Sequence, residues 1–151
     1  MISQTSEYAL RAAIHLAFHP GQPQTIRQIA TATGVPAGYL AKVLWALGRH
    51  GLVRATRGPN GGYLLSHNAT EVSIYQVVTA VDQVQRIRCC PLNLPEHSHR
   101  LCPLHRKLDQ AMATVEDSFR RTFLSELIDQ DSASGRACPS HVPDPVSLGR
   151  T

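Results

Sequence analysis

Apolar residues in the first half of the chain recur every three or four positions, which is the spacing of amphipathic helices. This pattern predicts helices over residues 3–18, 26–33 and 36–48. Thr25 and Gln28 stand three residues apart at the start of the second helix, where they form the sequence pattern of a capping box. A short segment containing glycine joins the second and third helices, and this arrangement is typical of a helix–turn–helix.

The pattern then changes to two short runs typical of strands, at residues 52–56 and 62–65. A Pro-Asn-Gly-Gly sequence between them supplies residues that tolerate turn conformations, so the two runs predict a β-hairpin. A helix–turn–helix followed by a hairpin indicates a winged helix, in which the hairpin is the wing. The predicted fold class is therefore mainly α with a small β-hairpin wing.

The second half begins with a capping-box pattern at Ser73 and Gln76, which predicts a short helix, and it ends with a long predicted helix over residues 104–129. The apolar stripe of the long helix consists of Leu108, Met112, Val115, Phe119, Phe123 and Leu127. Such a helix could cover its own domain or pack against the same helix of a second chain. Because one small winged domain leaves little core to cover, dimerisation is favoured.

These elements divide the chain into four parts. Residues 1–83 form a predicted winged helix-turn-helix DNA-binding domain, residues 84–103 a loop rich in Cys, His and Pro, residues 104–129 a dimerisation helix, and residues 130–151 a tail that we expect to be disordered. No run of ~18 apolar residues occurs, and the N-terminus lacks the pattern of a signal peptide. We therefore expect a cytoplasmic protein that does not span a membrane.

Charge is unevenly distributed along the 151 residues, whose net charge is +4. Residues 1–68 contain six Lys or Arg and a single acid, Glu7, whereas residues 69–151 contain nine basic and ten acidic residues. The positive charge lies on the predicted DNA-binding part. This distribution favours binding to double-stranded DNA over the alternative of a merely solvated basic surface.

Residues that contact DNA in such a fold lie at the start of the third helix and at the wing tip. The candidates are Thr25, Gln28, Ala37, Gly38, Tyr39, Lys42, Arg57, Asn60 and Gly61. Arg57 and Asn60 suit the narrow minor groove of A/T-rich DNA, and Thr25 and Gln28 could hold the DNA backbone. The alternatives are that Tyr39 is a half-buried packing residue, and that Arg57 and Asn60 serve only the turn.

The chain resembles the Rrf-type transcriptional regulators, a group that includes IscR- and NsrR-like iron–sulfur sensors. The resemblance covers residues 1–128. It is carried by Ser6-Glu7-Tyr8-Ala9-Leu10-Arg11, Ile29-Ala30, Tyr39-Leu40, Gly51-Leu52-Val53 and Arg57-Gly58-Pro59-Asn60-Gly61-Gly62-Tyr63-Leu64-Leu65. It implies a homodimer that binds a roughly palindromic operator.

Cluster-binding members of this group place three Cys in the loop before the dimer helix, and some add a trailing His. On this pattern the resemblance implies Cys90, Cys102 and His105 as ligands, while the central cysteine falls on Glu96. Cys89 could substitute for it. Some members also recruit an acid from the first helix of the partner subunit, and the corresponding residue in this sequence is Glu7.

Three chemistries fit these ligands: a [2Fe–2S] cluster with mixed ligation, a zinc site, and a metal-free thiol switch in which Cys90 and Cys102 form a disulfide. A filled or oxidised site would order the loop and set the spacing of the two recognition helices. Two other classes of function are an enzyme using a Cys/His pair, which lacks any substrate or oxyanion motif, and a protein-interaction module that no longer binds DNA. We therefore predict a regulator, most simply a repressor, and no enzyme.

Overall fold

The computed structural model describes residues 2–90 and 101–128. Within them the chain forms five named helices, one antiparallel hairpin and a further helical segment over residues 124–128. In chain order the named elements are α1 (Gln4–Ala17), α2 (Ile26–Thr33), α3 (Ala37–Arg49), β1 (Val53–Thr56), β2 (Gly62–Leu65), α4 (Ile74–Val81) and α5 (Pro103–Arg121). The predicted class, mainly α with a hairpin wing, is confirmed. In these residues no helix is long and apolar enough to cross a bilayer.

The starts of the short helices follow the predicted caps. Thr25 Oγ1 accepts a hydrogen bond from the Gln28 backbone N–H at 3.2 Å, while Gln28 Oε1 accepts from the Thr25 N–H at 2.8 Å. Ser73 and Gln76 make the same reciprocal pair at the start of α4. Both capping boxes are confirmed, and they fix the first residue of α2 and of α4.

The core lies where α1, α2, α3 and α4 meet. It is closed by large apolar side chains that are at most 1% exposed, namely Leu16, Ile29, Val35, Leu40, Leu44, Leu47, Val77 and Leu124. The contribution of α1 comes mainly from three alanines, Ala9, Ala12 and Ala13, which let the helices approach closely. This core orients α3 so that its opposite face points to solvent.

One histidine on α1 lies inside this core, contrary to expectation. The sequence alone predicts that His15 and His19 are both ordinary helix-surface residues, but His15 is only 8% exposed. Its Nε2 lies 3.2 Å from Gln24 Oε1, and Gln24 is also buried. The buried hydrogen bond explains why a polar ring is tolerated at this position.

The hairpin is attached to the helices through Gln24. Its own register pairs Val53 with Leu65 and Thr56 with Gly62. Gln24 then pairs with Tyr63 as an isolated bridge, with backbone N–H to O distances of 2.9 Å and 2.8 Å in the two directions. The segment before α2 therefore pairs with β2 close to the turn and holds this end of the hairpin against the domain.

The long helix ends earlier than predicted. α5 stops at Arg121, Thr122 is extended, and Phe123 pairs with Ser73 in an isolated bridge. Residues 124–128 form a separate helical segment whose first residue, Leu124, is fully buried in the core. The single helix predicted over residues 104–129 is therefore wrong at its C-terminal end, because the bridge and the burial of Leu124 turn the chain back onto its own domain.

Candidate nucleic-acid interface and cysteine site

The start of α3 presents the predicted DNA-contacting residues to solvent. Ala37, Gly38, Tyr39 and Lys42 are all exposed, and no side chain caps the helix start at Pro36. The helix turns its other side, which includes Leu40, Val43, Leu44 and Leu47, into the core. The geometry thus leaves the face needed for a major groove uncovered.

Tyr39 packs against another aromatic ring and still remains accessible to solvent. Its ring packs edge-on against Tyr8 of α1, with ring centroids 5.5 Å apart, and yet 48% of the residue remains exposed. The Lys42 ammonium lies 6.0 Å from the centroid of the same ring. Tyr8 therefore holds Tyr39 at the surface beside a cation.

The wing tip carries its polar residues outward. Arg57 and Asn60 are exposed, and Gly61 is half-buried beneath them. A Cβ added at Gly61 would lie 2.4 Å from the Thr56 carbonyl oxygen and 2.9 Å from that of Gly58. Only glycine therefore fits at this point of the turn, and its absence of a side chain keeps the tip narrow.

The two candidates before and within α2 have a structural role. Thr25 and Gln28 are exposed, but their side-chain oxygens are engaged in the capping box described above. Their contact with a DNA backbone stays a prediction. The cap alone accounts for these two residue types at this spacing.

The structure brings together two of the predicted ligands, Cys102 and His105. Cys102 is the N-cap of α5, and its Sγ lies 3.2 Å from His105 Nδ1. The same sulfur accepts a hydrogen bond from the His105 backbone N–H at 3.5 Å. A thiol and an imidazole at this distance present a soft sulfur and a nitrogen donor side by side, which suits iron or zinc.

The remaining candidates do not join this pair within the described part of the chain. Cys90 is buried and Cys89 is exposed, and Glu7 binds Arg11 on the surface of α1. Glu96 lies outside the described residues. Across residues 2–90 and 101–128, no group of three or more His, Cys, Asp or Glu side chains is placed to hold a metal ion.

The segment that leads to the cysteines is fastened to α5 by a network that the sequence did not reveal. Arg86 donates from Nε to Asp109 Oδ1 at 2.7 Å and from Nη2 to Oδ2 at 2.8 Å, and its Nη1 reaches Glu116 at 3.0 Å. The Ile87 backbone N–H also donates to Asp109 at 2.9 Å. These partners are 22 to 30 residues apart, so no local spacing could indicate them.

The charged groups of this network shift one another's pKa values. The hydrogen bonds from Arg86 lower the pKa of Asp109 to about 2, against partial desolvation that acts in the opposite direction. Arg120, followed by Arg86, lowers the pKa of Glu116. Arg120 also lies over the ring of Tyr75 on α4, 3.6 Å from its centroid. The network therefore joins α4, the segment after it and α5.

Residues 2–130 match the Rrf2 family, which is described as iron-dependent transcriptional regulators. The chain belongs to the Rrf2 family. Like that family, it is a transcriptional regulator with a DNA-binding winged helix and not an enzyme. The predicted resemblance is confirmed.

Individual relatives agree with the Rrf2 assignment. The chain is 30% identical over 129 residues to the HTH-type transcriptional regulator IscR of Pectobacterium atrosepticum, covering 84% of this chain and 78% of that protein. The structure of T. potens IscR superposes with a TM-score of 0.76 at 19% identity, covering 91% of this chain and 92% of the other. The structure of CymR, the global cysteine regulator of B. subtilis, superposes with a TM-score of 0.68 at 25% identity, covering 90% and 98%.

Proposed function

We propose that this Rrf2 regulator is a homodimeric repressor that binds a pseudo-palindromic, A/T-rich duplex and that its binding responds to an iron–sulfur cluster at Cys102 and His105. The DNA-binding surface of each subunit consists of the start of α3 and the wing tip. No Asp or Glu occurs between Glu7 and Glu71, while six Lys or Arg do. Exposed cations on an acid-free surface suit phosphates.

The exposed face of α5 supports the dimer. None of its residues is buried, and its apolar side chains Leu104, Leu108 and Val115 are 64%, 44% and 42% exposed. An apolar stripe that its own domain leaves uncovered is suited to the same stripe of a second chain. The two DNA-binding surfaces would then face successive half-sites of one operator.

The contact between Cys102 Sγ and His105 Nδ1 carries the sensory part of the proposal. Cys90 and either Cys89, Glu96 or Glu7 of a second subunit would complete the ligand set of a [2Fe–2S] cluster. A cluster held by both thiolate and imidazole supplies a redox-active group whose potential is higher than with thiolates alone. The iron-dependent description of the family supports iron over zinc or a bare thiol switch, which are the alternatives.

The position of this pair supports its coupling to DNA binding. Cys102 is the N-cap of α5, and Arg86 binds the same helix at Asp109 and Glu116, about two and four turns further on. A ligand that pulls Cys90 towards Cys102 would therefore act on a segment that joins α4 to the dimer helix. Its effect on the operator would be a change in the distance between two recognition helices.

Anaerobic purification with iron and sulfide analysis tests the sensor. We expect visible absorption and near-equal iron and sulfide in the wild-type protein, and loss of both in Cys102→Ala. Cys138→Ala is the matched control, since Cys138 is not among the predicted ligands, and it should retain them. A colourless wild-type protein with one zinc per chain would indicate the zinc alternative, and a metal-free protein the thiol switch.

Fluorescence anisotropy with a labelled duplex tests the DNA surface. Arg57→Ala should weaken binding and reduce the slope of log affinity against log salt by about one, because one positive charge is removed from the duplex surface. Arg121→Ala removes an equally exposed charge from the end of α5 and should leave the slope unchanged. Equal slopes for all three proteins would contradict a role for the wing.

A further inference from the structure

Trp45, the single tryptophan of the chain, lies on the solvent face of α3. It is 65% exposed, more than any other large hydrophobic residue in the described part. A lone exposed apolar residue is ordinary on a protein surface. Trp45 is informative because it lies on α3, the proposed recognition helix, and because Arg49 lies beside it.

Arg49 lies next to Trp45, one turn further along the helix. Its guanidinium carbon is 5.0 Å from the indole centroid. Tyr39 and Lys42 repeat the same pairing of ring and cation at the start of the helix. The exposed face of α3 therefore carries aromatic and basic side chains alternately along its whole length, at a helical spacing of three and four residues.

Trp45 also stands between the two DNA-facing elements. It lines a shallow groove between α3 and the hairpin, together with Gly48, Ala55 and Tyr63. Arg49 lines the same groove. Both side chains thus border the groove that separates α3, whose start suits a major groove, from the hairpin, whose tip suits the neighbouring minor groove. A phosphate backbone separates these two grooves in a duplex.

We propose that Trp45 and Arg49 together bind a phosphate of the DNA strand that lies between the recognition helix and the wing. This inference rests on the proposed DNA-binding function and adds a contact beyond the residues at the start of α3. Trp45 is eight residues from the helix start, a distance of about 12 Å along the axis. A helix that enters the major groove by its N-terminal end would hold Trp45 farther from the base edges and nearer to the phosphates.

The chemistry of the pair suits a phosphate oxygen. The indole Nε1–H is a donor only, and the guanidinium offers several donors in a rigid plane. Stacking on the indole orients that plane before binding, so less side-chain freedom is lost when the contact forms. The absence of acidic residues throughout α3 and the hairpin leaves this charge without a competing carboxylate on those elements.

The single tryptophan provides a direct measurement. Emission of Trp45 and its quenching by acrylamide are recorded for the full chain, with and without a generic 30-base-pair duplex at low salt, because phosphate contacts do not depend on sequence. We expect the duplex to change the emission and to protect the indole from acrylamide. If anisotropy shows that the complex has formed but acrylamide quenching of Trp45 is unchanged, the inference is wrong, while the proposed DNA binding still holds.

Variants measured by anisotropy of the labelled duplex provide the second test. Arg49→Ala should lower the salt slope by about one and weaken binding roughly three- to tenfold. Trp45→Phe, which keeps a ring but removes the N–H, should weaken binding about two- to tenfold. Arg121→Ala is the charge-matched control and should change neither quantity. If Arg49→Ala behaves like Arg121→Ala, the inference is wrong; if the wild-type chain binds no duplex at all, the proposed function fails with it.

Discussion

Arg86 and Asp109 form a two-point hydrogen-bonded pair that joins the segment after α4 to the first half of α5. The side chains are only 31% and 20% exposed, so the pair is better shielded from solvent than the pairs on the helix surface. Asp109 also accepts the Ile87 N–H, which ties down the backbone itself. The start of the cysteine-containing segment is thus held by a specific contact.

Arg86→Ala is expected to release this segment without unfolding the domain. The Ile87 amide loses its ordered acceptor when Asp109 is no longer held, so its hydrogen exchange should accelerate at least several-fold. Exchange measured residue by residue by NMR checks this. Arg121→Ala breaks the exposed Arg121–Asp117 pair within α5 and serves as control; equal acceleration in both variants would contradict the role of Arg86.

The stability contributed by Asp109 should depend on acidic pH. Its pKa falls from the ordinary value of 3.8 to about 2 in the folded protein. A lowered folded pKa means that the contribution is fully present above the unfolded pKa, near 4, and is lost as the pH falls towards 2. Asp109→Asn should therefore be less stable than wild type at pH 7, and the difference should narrow below pH 4.

Urea unfolding of wild type and Asp109→Asn at a series of pH values measures this. Asp82 and Glu116 also have lowered pKa values, through hydrogen bonds led by Ser3 and Arg120 respectively. Both proteins should therefore lose stability together in acid through these shared groups. A constant difference between the two proteins from pH 7 to pH 2.5 would exclude the pair as its source.

The same substitution at two glycines should have opposite effects on stability. A Cβ at Gly62 would lie 2.6 Å from the backbone oxygen of Gln24, so Gly62→Ala must displace β2 from the segment before α2, and it should cost about 1–3 kcal/mol. A Cβ at Gly38 meets no heavy atom within 4 Å, and this residue is helical. Gly38→Ala should stabilise the protein by about 0.5–1 kcal/mol. Thermal and urea unfolding compare the two variants.

Two leucines near α5 should separate folding from dimerisation. Leu124 is fully buried, so Leu124→Ala should lower the free energy of unfolding by about 2–5 kcal/mol. Leu108 is 44% exposed in one subunit, so Leu108→Glu should leave the fold intact and shift the protein towards monomer. Circular dichroism and sedimentation equilibrium distinguish the two effects. A Leu108→Glu variant that remains as dimeric as wild type would place the interface elsewhere.

Sequence patterns predicted elements whose determinants are local. The start of α2 follows from Thr25 and Gln28, and the hairpin follows from its turn residues. The end of α5 could not be predicted in this way, because Phe123 and Leu127 continue the apolar spacing across the break. The cause of the break, the pairing of Phe123 with Ser73, joins positions that are 50 residues apart.

The candidate site shows the same difference between local determinants, which a sequence reveals, and long-range ones, which it does not. The resemblance predicts Cys102 and His105 as ligands, and because they are three residues apart at a helix start, the backbone alone brings them together. Trp45 and Arg49 were missed as a pair, since periodicity separates buried from exposed positions but does not show which exposed side chains stack. The burial of His15 could not be predicted, because its hydrogen-bond partner, Gln24, lies in a different part of the chain, just before α2.

The return of the chain at Phe123 has a mechanical consequence for an assembled regulator. Each α5 is anchored to its own domain near both ends, through Asp109 in its first half and through Leu124 just beyond its last turn. Such a helix moves together with its domain as one body, and not independently as a flexible linker would. In the proposed homodimer, rotation of one α5 against the other would therefore turn each domain together with its helix, and a motion at Cys102 would change the distance between the two wing tips.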